Sequence, residues 1–431
     1  MRSALAPEDG LAESRLYHDT AQWGFVSLLQ IVPGTHKKNQ HSFLLNKLPW
    51  QIDAVQGEAD VWLSQCEFRQ PNRRASNLLR LPMLFTDLDT YRQEWCFPPE
   101  KMVELVRNHC TQVGLPQPSL IVFSGRGLQL KWLLTATIPS QALPRWNICQ
   151  LTLVARLSNF GADPASRDAS RVLRVPGTIN SKSGELCRLL DVARDANQDP
   201  IRYCFEELCK ILLPVARREI ERPAPKPALK VLQGGLKKGL KLLNGRQLAW
   251  DRHHDLRKLR AIRGGVAPGS RMLFLFWQIN FMALAGLVHE KNLMAESAEL
   301  AREIDPTWRF HHTDLCTLRD KIIQSRQGKK IVFNGREYPP LYTPRNETLI
   351  SIFQITSEEQ RQLKTIISDD LAKERRRARD IARLRAAGAV DRETYLANAL
   401  TQQEPWKALG MSRRTWYRLG KPEPGTKQEI A

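Results

Sequence analysis

Short apolar runs alternate with helically spaced segments through the first half of the chain. Residues 61–68 (VWLSQCEF), 83–89 (MLFTDLD), 119–125 (SLIVFSG), 128–134 (LQLKWLL) and 171–177 (RVLRVPG) are apolar runs bounded by turn-forming residues, the pattern of strands. Residues 101–114 and 144–161 repeat their apolar positions at helical spacing, and each closes on a glycine, Gly114 or Gly161, suited to a helix C-terminus. The pattern predicts an α/β or α+β domain over 15–213. Residues 214–245 break it. Pro214, Pro223, Pro225 and Pro227 fall in PVARREIERPAPKP, followed by Gly234, Gly235 and Gly239 among lysines, which predicts a linker. Beyond it, 270–304 and 356–384 have helical patterning, so the second half is expected to be mainly α. The expected divisions are a helical accessory domain at 246–345, a basic helix within 346–387, a DNA-binding segment at 388–422 and a disordered tail at 423–431. No internal repeat is evident.

A length of 431 residues has room for two or three domains, and 42% apolar with 26% charged residues fits a globular protein with a core. Charge changes the picture. The 65 Lys and Arg against 45 Asp and Glu leave a formal +20, which points to a polyanionic partner such as nucleic acid. The excess is concentrated. Residues 215–263 hold fourteen bases and four acids, and 372–421 hold thirteen and five. The apolar run at 272–287 is interrupted by Gln278 and Asn280, so no membrane span is expected. Glu8, Asp9 and Glu13 with no apolar stretch beside them give no secretory leader, and a cytoplasmic location is expected. The eight cysteines lack zinc spacing and read as reduced core residues. His253-His254 and His311-His312 read as incidental.

Three motifs carry candidate chemistry. In Asp87-Leu88-Asp89, two carboxylates two residues apart on a strand share one face, where a divalent cation such as Mg²⁺ or Mn²⁺ would relieve their repulsion. A solvated turn after a strand is the commoner source of an isolated pair of this kind. Ser124-Gly125-Arg126-Gly127 follows an apolar run; its glycines suit close approach to a phosphate, and Arg126 is a multi-donor cation. Gln129 and Lys131 alternate onto one face of the next strand. A plain hairpin turn also fits these residues. In residues 161–184, Asp163 and Asp168 precede Arg171, Arg174, a Pro-Gly turn, Asn180 and Lys182. A third carboxylate beside cations suits metal and triphosphate, and a surface salt-bridge patch has the same spacing.

The ordered set FTDLD, SGRGLQLKW and DPASRDASRVLRVPGTIN, over about residues 55–195, resembles the archaeo-eukaryotic primase superfamily, above all its plasmid and phage primase-polymerase branch. The resemblance implies an α+β catalytic domain with an RRM-like sheet core, followed by mainly α accessory segments. It implies two Mg²⁺ or Mn²⁺ ions on Asp87, Asp89 and Asp163, with Asp168 the less favoured third ligand. It also implies a nucleotide held by Ser124, Gly125, Arg126, Gln129, Lys131, Arg171, Arg174, Asn180 and Lys182. In that family a histidine usually stands where this chain has Gln129. Glutamine can donate to a phosphate oxygen but carries no charge, and Lys131 is placed to restore it.

In the second half, 268–308 loosely resembles the small helical domain of mobile-element primases. Residues 405–422 have the layout of a helix-turn-helix with Ser412 as N-cap, and Arg413, Arg414, Trp416 and Arg418 are candidate DNA contacts, as are Arg375, Arg376 and Arg377 upstream. The expected function is a plasmid- or phage-type replication primase, with single-stranded DNA template and nucleoside triphosphates as substrates and double-stranded DNA bound by the tail. Without a GxxxxGK[ST] motif, unwinding is assigned to a separate helicase. The alternative is a non-catalytic DNA-binding initiator on the same fold. A metal-dependent nuclease is disfavoured by the triphosphate-sized basic set, and a relaxase by the absence of an HxH cluster.

Overall fold

The structure, a computed structural model, describes residues 10–32, 35, 37–93, 97–213, 234–333, 335–389, 392–397 and 404–421. Residues 214–233 of the expected linker and the expected disordered tail lie outside them. The chain divides into two compact units, Met1–Arg345 with Leu363–Ile366, and Asn346–Gln362 with Ile367–Ala431.

The first unit is built on one nine-stranded sheet. Its strands are β1 (Phe25–Ile31), β2 (Lys38–Leu44), β3 (Val61–Ser64), β4 (Glu67–Phe68), β5 (Leu78–Leu88), β6 (Leu120–Phe123), β7 (Leu128–Pro139) and β8 (Val172–Arg174). After the small hairpin β9 (Ile179–Asn180) and β10 (Glu185–Leu186), β11 (Arg188–Val192) completes it. The spatial order is β11-β6-β7-β5-β4-β1-β3-β8, with β2 on β1. Every strand pair in this sheet is antiparallel, so the fold is α+β.

The predicted strand at 61–68 splits into β3 and β4, because the register against β1 shifts from Leu28 opposite Leu63 to Phe25 opposite Phe68, and Ser27 N–H turns to the Ser64 hydroxyl. The β1–β2 hairpin was not predicted. Most of β2 (KNQHSFL) is solvent-exposed and shows no apolar alternation.

Helices α1 (Gly10–Arg15), α2 (Leu48–Asp53), α3 (Pro99–Gln112), α4 (Leu143–Arg156) and α5 (Phe205–Leu212) complete the sheet domain. Pairing with β4 covers only Leu78 and Arg80 of β5, so the rest of that edge needs another partner. The side-chain amide of Gln150, on α4, supplies one: it accepts from Phe85 N–H at 3.1 Å and donates to Phe85 O at 3.0 Å. Trp146 donates to Met83 O at 2.8 Å beside it, so α4 is fixed against the strand that carries the first motif.

Helix α6 spans Gly234–Ile262, so residues 234–245 of the expected linker are helical. The expected helical stretch 270–304 is two helices, α7 (Arg271–Leu284) and α8 (Leu293–Ile304), broken at Gly286, whose φ of 83° terminates a helix. Helix α8 docks through three acids at helical spacing, two on the sheet domain and the third on α6. Glu296 accepts from Ser76 N–H at 3.1 Å and its hydroxyl at 2.9 Å, Glu299 from Asn77 Nδ2 at 2.6 Å, and Glu303 pairs with Arg257 and Arg260. Part of the basic charge of 215–263 is therefore spent inside the unit.

In the second unit the expected helix at 356–384 is interrupted: Ser357–Gln362 precedes Asp369–Ala386, which is N-capped by Ser368 and has no buried residue. The two short helices Pro405–Ala408 and Arg413–Arg418 pack through Trp406 and Trp416, whose rings lie 6.0 Å apart. Among the described residues, no helix is long and apolar enough to cross a membrane.

Candidate active site

The site forms where β5 ends. Asp87 is its penultimate residue, and Asp89 opens the short 3-10 turn Thr90–Arg92. An isolated antiparallel bridge joins Leu88 to Ala162, with Asp163 N–H donating to Asp87 O at 2.8 Å and Asp89 N–H to Gly161 O at 2.9 Å. In that register Asp87 stands opposite Asp163, and alternation turns Asp87, Asp89 and Asp163 to the same side, away from Leu88. Asp168 is elsewhere: its carboxylate accepts from Ser170 N–H and hydroxyl.

Arg171 lies among these acids. Its guanidinium binds Asp163 and stands 3.9 Å from Asp87, while Asp89 pairs with the exposed Arg92 at 3.1 Å. Burial above all, with the neighbouring Asp89 and Asp163 adding to it against the pull of Arg171, pushes the Asp87 carboxyl up to about 6. The acids thus form a cation-seeking group, with Arg171 supplying the positive charge. Among the described residues, no three His, Cys, Asp or Glu side chains are arranged to hold a metal.

Gln129, on β7, is the register partner of Asp87 and so shares its face. It is buried, and its Oε1 has no hydrogen-bond partner among the described residues. Ser124 closes the SGRG turn, its hydroxyl exchanging hydrogen bonds with Gly127 O and N–H. The glycines serve packing here. A Cβ on Gly127 would lie 2.1 Å from Leu88 O, and one on Gly125, at φ 85°, would lie 2.5 Å from Asn180 Cβ. They let the second motif press against the first and third, a use that differs from the expected approach to phosphate. Arg126 stacks 3.9 Å from the ring centre of Tyr91, bridging the second motif to the loop after Asp89.

Asn180 donates to Ser124 O at 2.9 Å and accepts from Arg174 at 3.0 Å. Arg174 also pairs with Asp60 at 2.8 Å and lies over the Trp62 ring. Lys182 is exposed at the rim.

Lys131 is the correction within this set. It is on the strand face predicted, but its side chain is 1% exposed and its ammonium is bound to Glu13 of α1 at 2.5 Å and to Tyr17 Oη at 3.2 Å. Its charge is spent in the core, so it does not replace the missing histidine. Asp60, Trp62, Tyr91 and Glu13 went unread in the sequence. Tyr91, two residues after Asp89, had a positional clue; the others had none.

The candidate DNA contacts divide similarly. Arg376, Arg377, Arg414 and Arg418 are exposed, as is Arg413, which lies 5.6 Å from the Trp406 ring centre. Trp416 is buried as the core of the small hairpin, which removes it from the contacts. Arg375 donates to Gln360 O and Arg361 O, capping the end of the preceding helix. Ser412 N-caps as expected, accepting from Thr415 N–H at 3.1 Å.

No protein-family model matches the chain. It is similar to a replication protein of Clostridium perfringens, 30% identical over 316 residues, which are 73% of this chain and 70% of that one. Among solved structures, the AEP domain of the cyanophage S-2L primase-polymerase is 18% identical, covering 48% of this chain and 99% of that one at a TM-score of 0.35. The primase RepB' is 13% identical, covering 74% and 99% at a TM-score of 0.30.

Proposed function

This chain belongs with the replication proteins, and we propose that it is a replication primase of the plasmid- and phage-type branch of the archaeo-eukaryotic primase superfamily. It would join nucleoside triphosphates into primers on single-stranded DNA. The observation that carries this reading is the Leu88–Ala162 bridge, which brings Asp163 from 76 positions away to the face of Asp87 and Asp89. Three hard oxygen donors beside phosphate-binding cations suit Mg²⁺ or Mn²⁺ in kind, and Arg171 already marks the place of positive charge among them. Asp87, Asp89 and Asp163 would hold the ions. When bound, the ions would lower the pKa of the attacking 3′-hydroxyl and neutralise the leaving pyrophosphate.

The protein's own part is positioning. Arg171 holds Asp163 and stands beside Asp87, and where ions took its place among the acids its guanidinium would be available to the triphosphate. Arg174, fixed by Asp60, Asn180 and Trp62, presents a guanidinium to phosphate oxygens, and Gln129 presents a neutral amide beside Asp87. Lys182 at the rim adds charge. Arg126, clasped to Tyr91, orders the entrance. The exposed arginines of the second unit would bring the protein to double-stranded DNA, with unwinding left to a separate helicase.

Two observations favour a second reading, a DNA-binding initiator without catalysis: the neutral Gln129 opposite Asp87, and the engagement of Arg171 by the acids. Primer synthesis from labelled nucleotides on single-stranded DNA, with Mg²⁺ or Mn²⁺, decides between them. The primase reading expects metal-dependent oligonucleotides, reduced on the order of a thousand-fold or more in Asp87→Ala with DNA binding kept. DNA binding without any product on varied templates would establish the initiator reading.

A further inference from the structure

Asp60 occupies a conformation that a non-glycine residue rarely adopts, with φ of 56°. Its main chain is held there by two hydrogen bonds, Asp60 N–H to Ile179 O at 2.8 Å and Ile31 N–H to Asp60 O at 3.2 Å. Such backbone persists only where the surroundings over-determine it. Its carboxylate is equally committed. Oδ1 takes Arg174 at 2.8 Å and Ser181 N–H at 3.3 Å, and Oδ2 takes the Ser181 hydroxyl.

The object of this arrangement is one guanidinium. The Arg174 side chain is 9% exposed, lies 4.4 Å from the Trp62 ring centre, and donates from Nη2 to both Asp60 and Asn180. Its Nη1 is buried with no hydrogen-bond partner among the described residues. A desolvated cationic N–H is costly unless an acceptor arrives, and an anion is the acceptor that returns most. The same Asn180 ties the arrangement to the Ser124 turn.

We propose that Asp60 is a positioning residue for the triphosphate: it locks Arg174 through Nη2 and leaves Nη1 directed at a phosphate oxygen. The inference rests on the nucleotide site proposed above, of which Arg174 is a member. The left-handed backbone is retained because it brings the Asp60 carboxylate to both Arg174 and Ser181.

The test is a double-mutant cycle in the full chain, reading the dissociation constant of a non-hydrolysable nucleoside triphosphate. Asp60→Asn tolerates positive φ and keeps an acceptor for Ser181 while removing the charge. Arg174→Ala is expected to weaken binding about ten-fold or more, and Asp60→Asn about five-fold. The double variant should match Arg174→Ala alone within about two-fold, because Asp60 acts only through the guanidinium. Asp60→Gly, which accepts the backbone without strain, should lose as much as Asp60→Asn; restored affinity would show that the backbone and not the carboxylate matters. Fully additive losses would overturn the positioning role while leaving the nucleotide site intact. Unchanged affinity in Arg174→Ala would remove both. Primer synthesis abolished by Asp87→Ala, with triphosphate binding weakened in Asp60→Asn, would support each separately.

Discussion

In the motif cleft, Arg174 is enclosed by Asp60, Asn180 and Trp62, while Arg171, only half-buried, is held beside two carboxylates. In the helix Asp369–Ala386, Arg376 and Arg377 are exposed on an element with no buried residue. Both regions are rich in arginine, yet the physics differs. Enclosed charge has lost its water and depends on specific partners, so removing a partner costs stability and geometry. Exposed charge keeps its water, contributes little to the fold, and is free to be exchanged for the counterions of a polyanion. One region is built to aim a few groups, the other to attract a polymer.

The largest effect that tests this contrast is at the buried pair Glu13–Lys131. Both side chains are at most 2% exposed, and Tyr17 hydrogen-bonds to both. Glu13→Leu would leave a buried ammonium without its anion, and denaturant unfolding should show a loss of about 3–5 kcal/mol. Combining it with Lys131→Met should recover most of that, because the uncompensated charge is gone. A loss below about 1 kcal/mol in the single variant would mean that Lys131 is not confined as the structure has it.

The same pair shows what a sequence can and cannot convey. The strands flanking the three motifs were legible because their apolar runs and turn residues are local signals, and Asp87, Ser124 and Arg174 fall beside them as expected. Strand alternation placed Lys131 on the face of Gln129 correctly. Its partner, 118 residues earlier in a six-residue helix, gave no signal, so the charge was assigned to a nucleotide instead. Spacing could not separate Asp163 from Asp168, whereas the register at Ala162 sets Asp163, not Asp168, opposite Asp87. The glycines of SGRG suit phosphate by type, and the close packing on Leu88 O and Asn180 that they also permit has no local signal. Trp416 looked like a recognition residue because its burial against Trp406 depends on a contact across a turn. Non-local pairing is the common factor in these misses.

An intermediate effect is expected from pH. Burial pushes the His253 imidazole well below its ordinary range, helped by Arg257 and His254, and pushes His254 down to about 3, helped by Arg257 and Arg69. Both are neutral in the folded protein at neutral pH. Below about pH 6.5 the unfolded chain binds protons that the folded chain refuses, so this contribution to stability is complete above that pH and is lost as pH falls. Each histidine should cost up to about 1.4 kcal/mol per pH unit between pH 6.5 and 4. Unfolding midpoints measured at pH 7 and 5.5 should differ less in His253→Gln/His254→Gln than in the parent. An equal pH response in the two proteins would place the proton uptake elsewhere.

The smallest effect on the fold is expected in the tail, where it separates stability from binding. Arg376→Ala/Arg377→Ala removes two exposed cations from a helix that Arg375 ties to its neighbour by bonding Gln360 O and Arg361 O. Stability should change by less than about 0.5 kcal/mol, since neither side chain is desolvated. Affinity for double-stranded DNA should nonetheless fall, and the slope of log affinity against log salt should shrink by about one for each phosphate no longer neutralised. Arg375→Ala makes the informative control. If its guanidinium is spent on capping, its removal should disturb the helix while leaving the salt slope nearly unchanged. A salt slope unaltered by the double substitution would mean that the helix does not touch DNA phosphates. The exposed charge would then serve only solubility, and the functional side of the contrast between cleft and tail would fail.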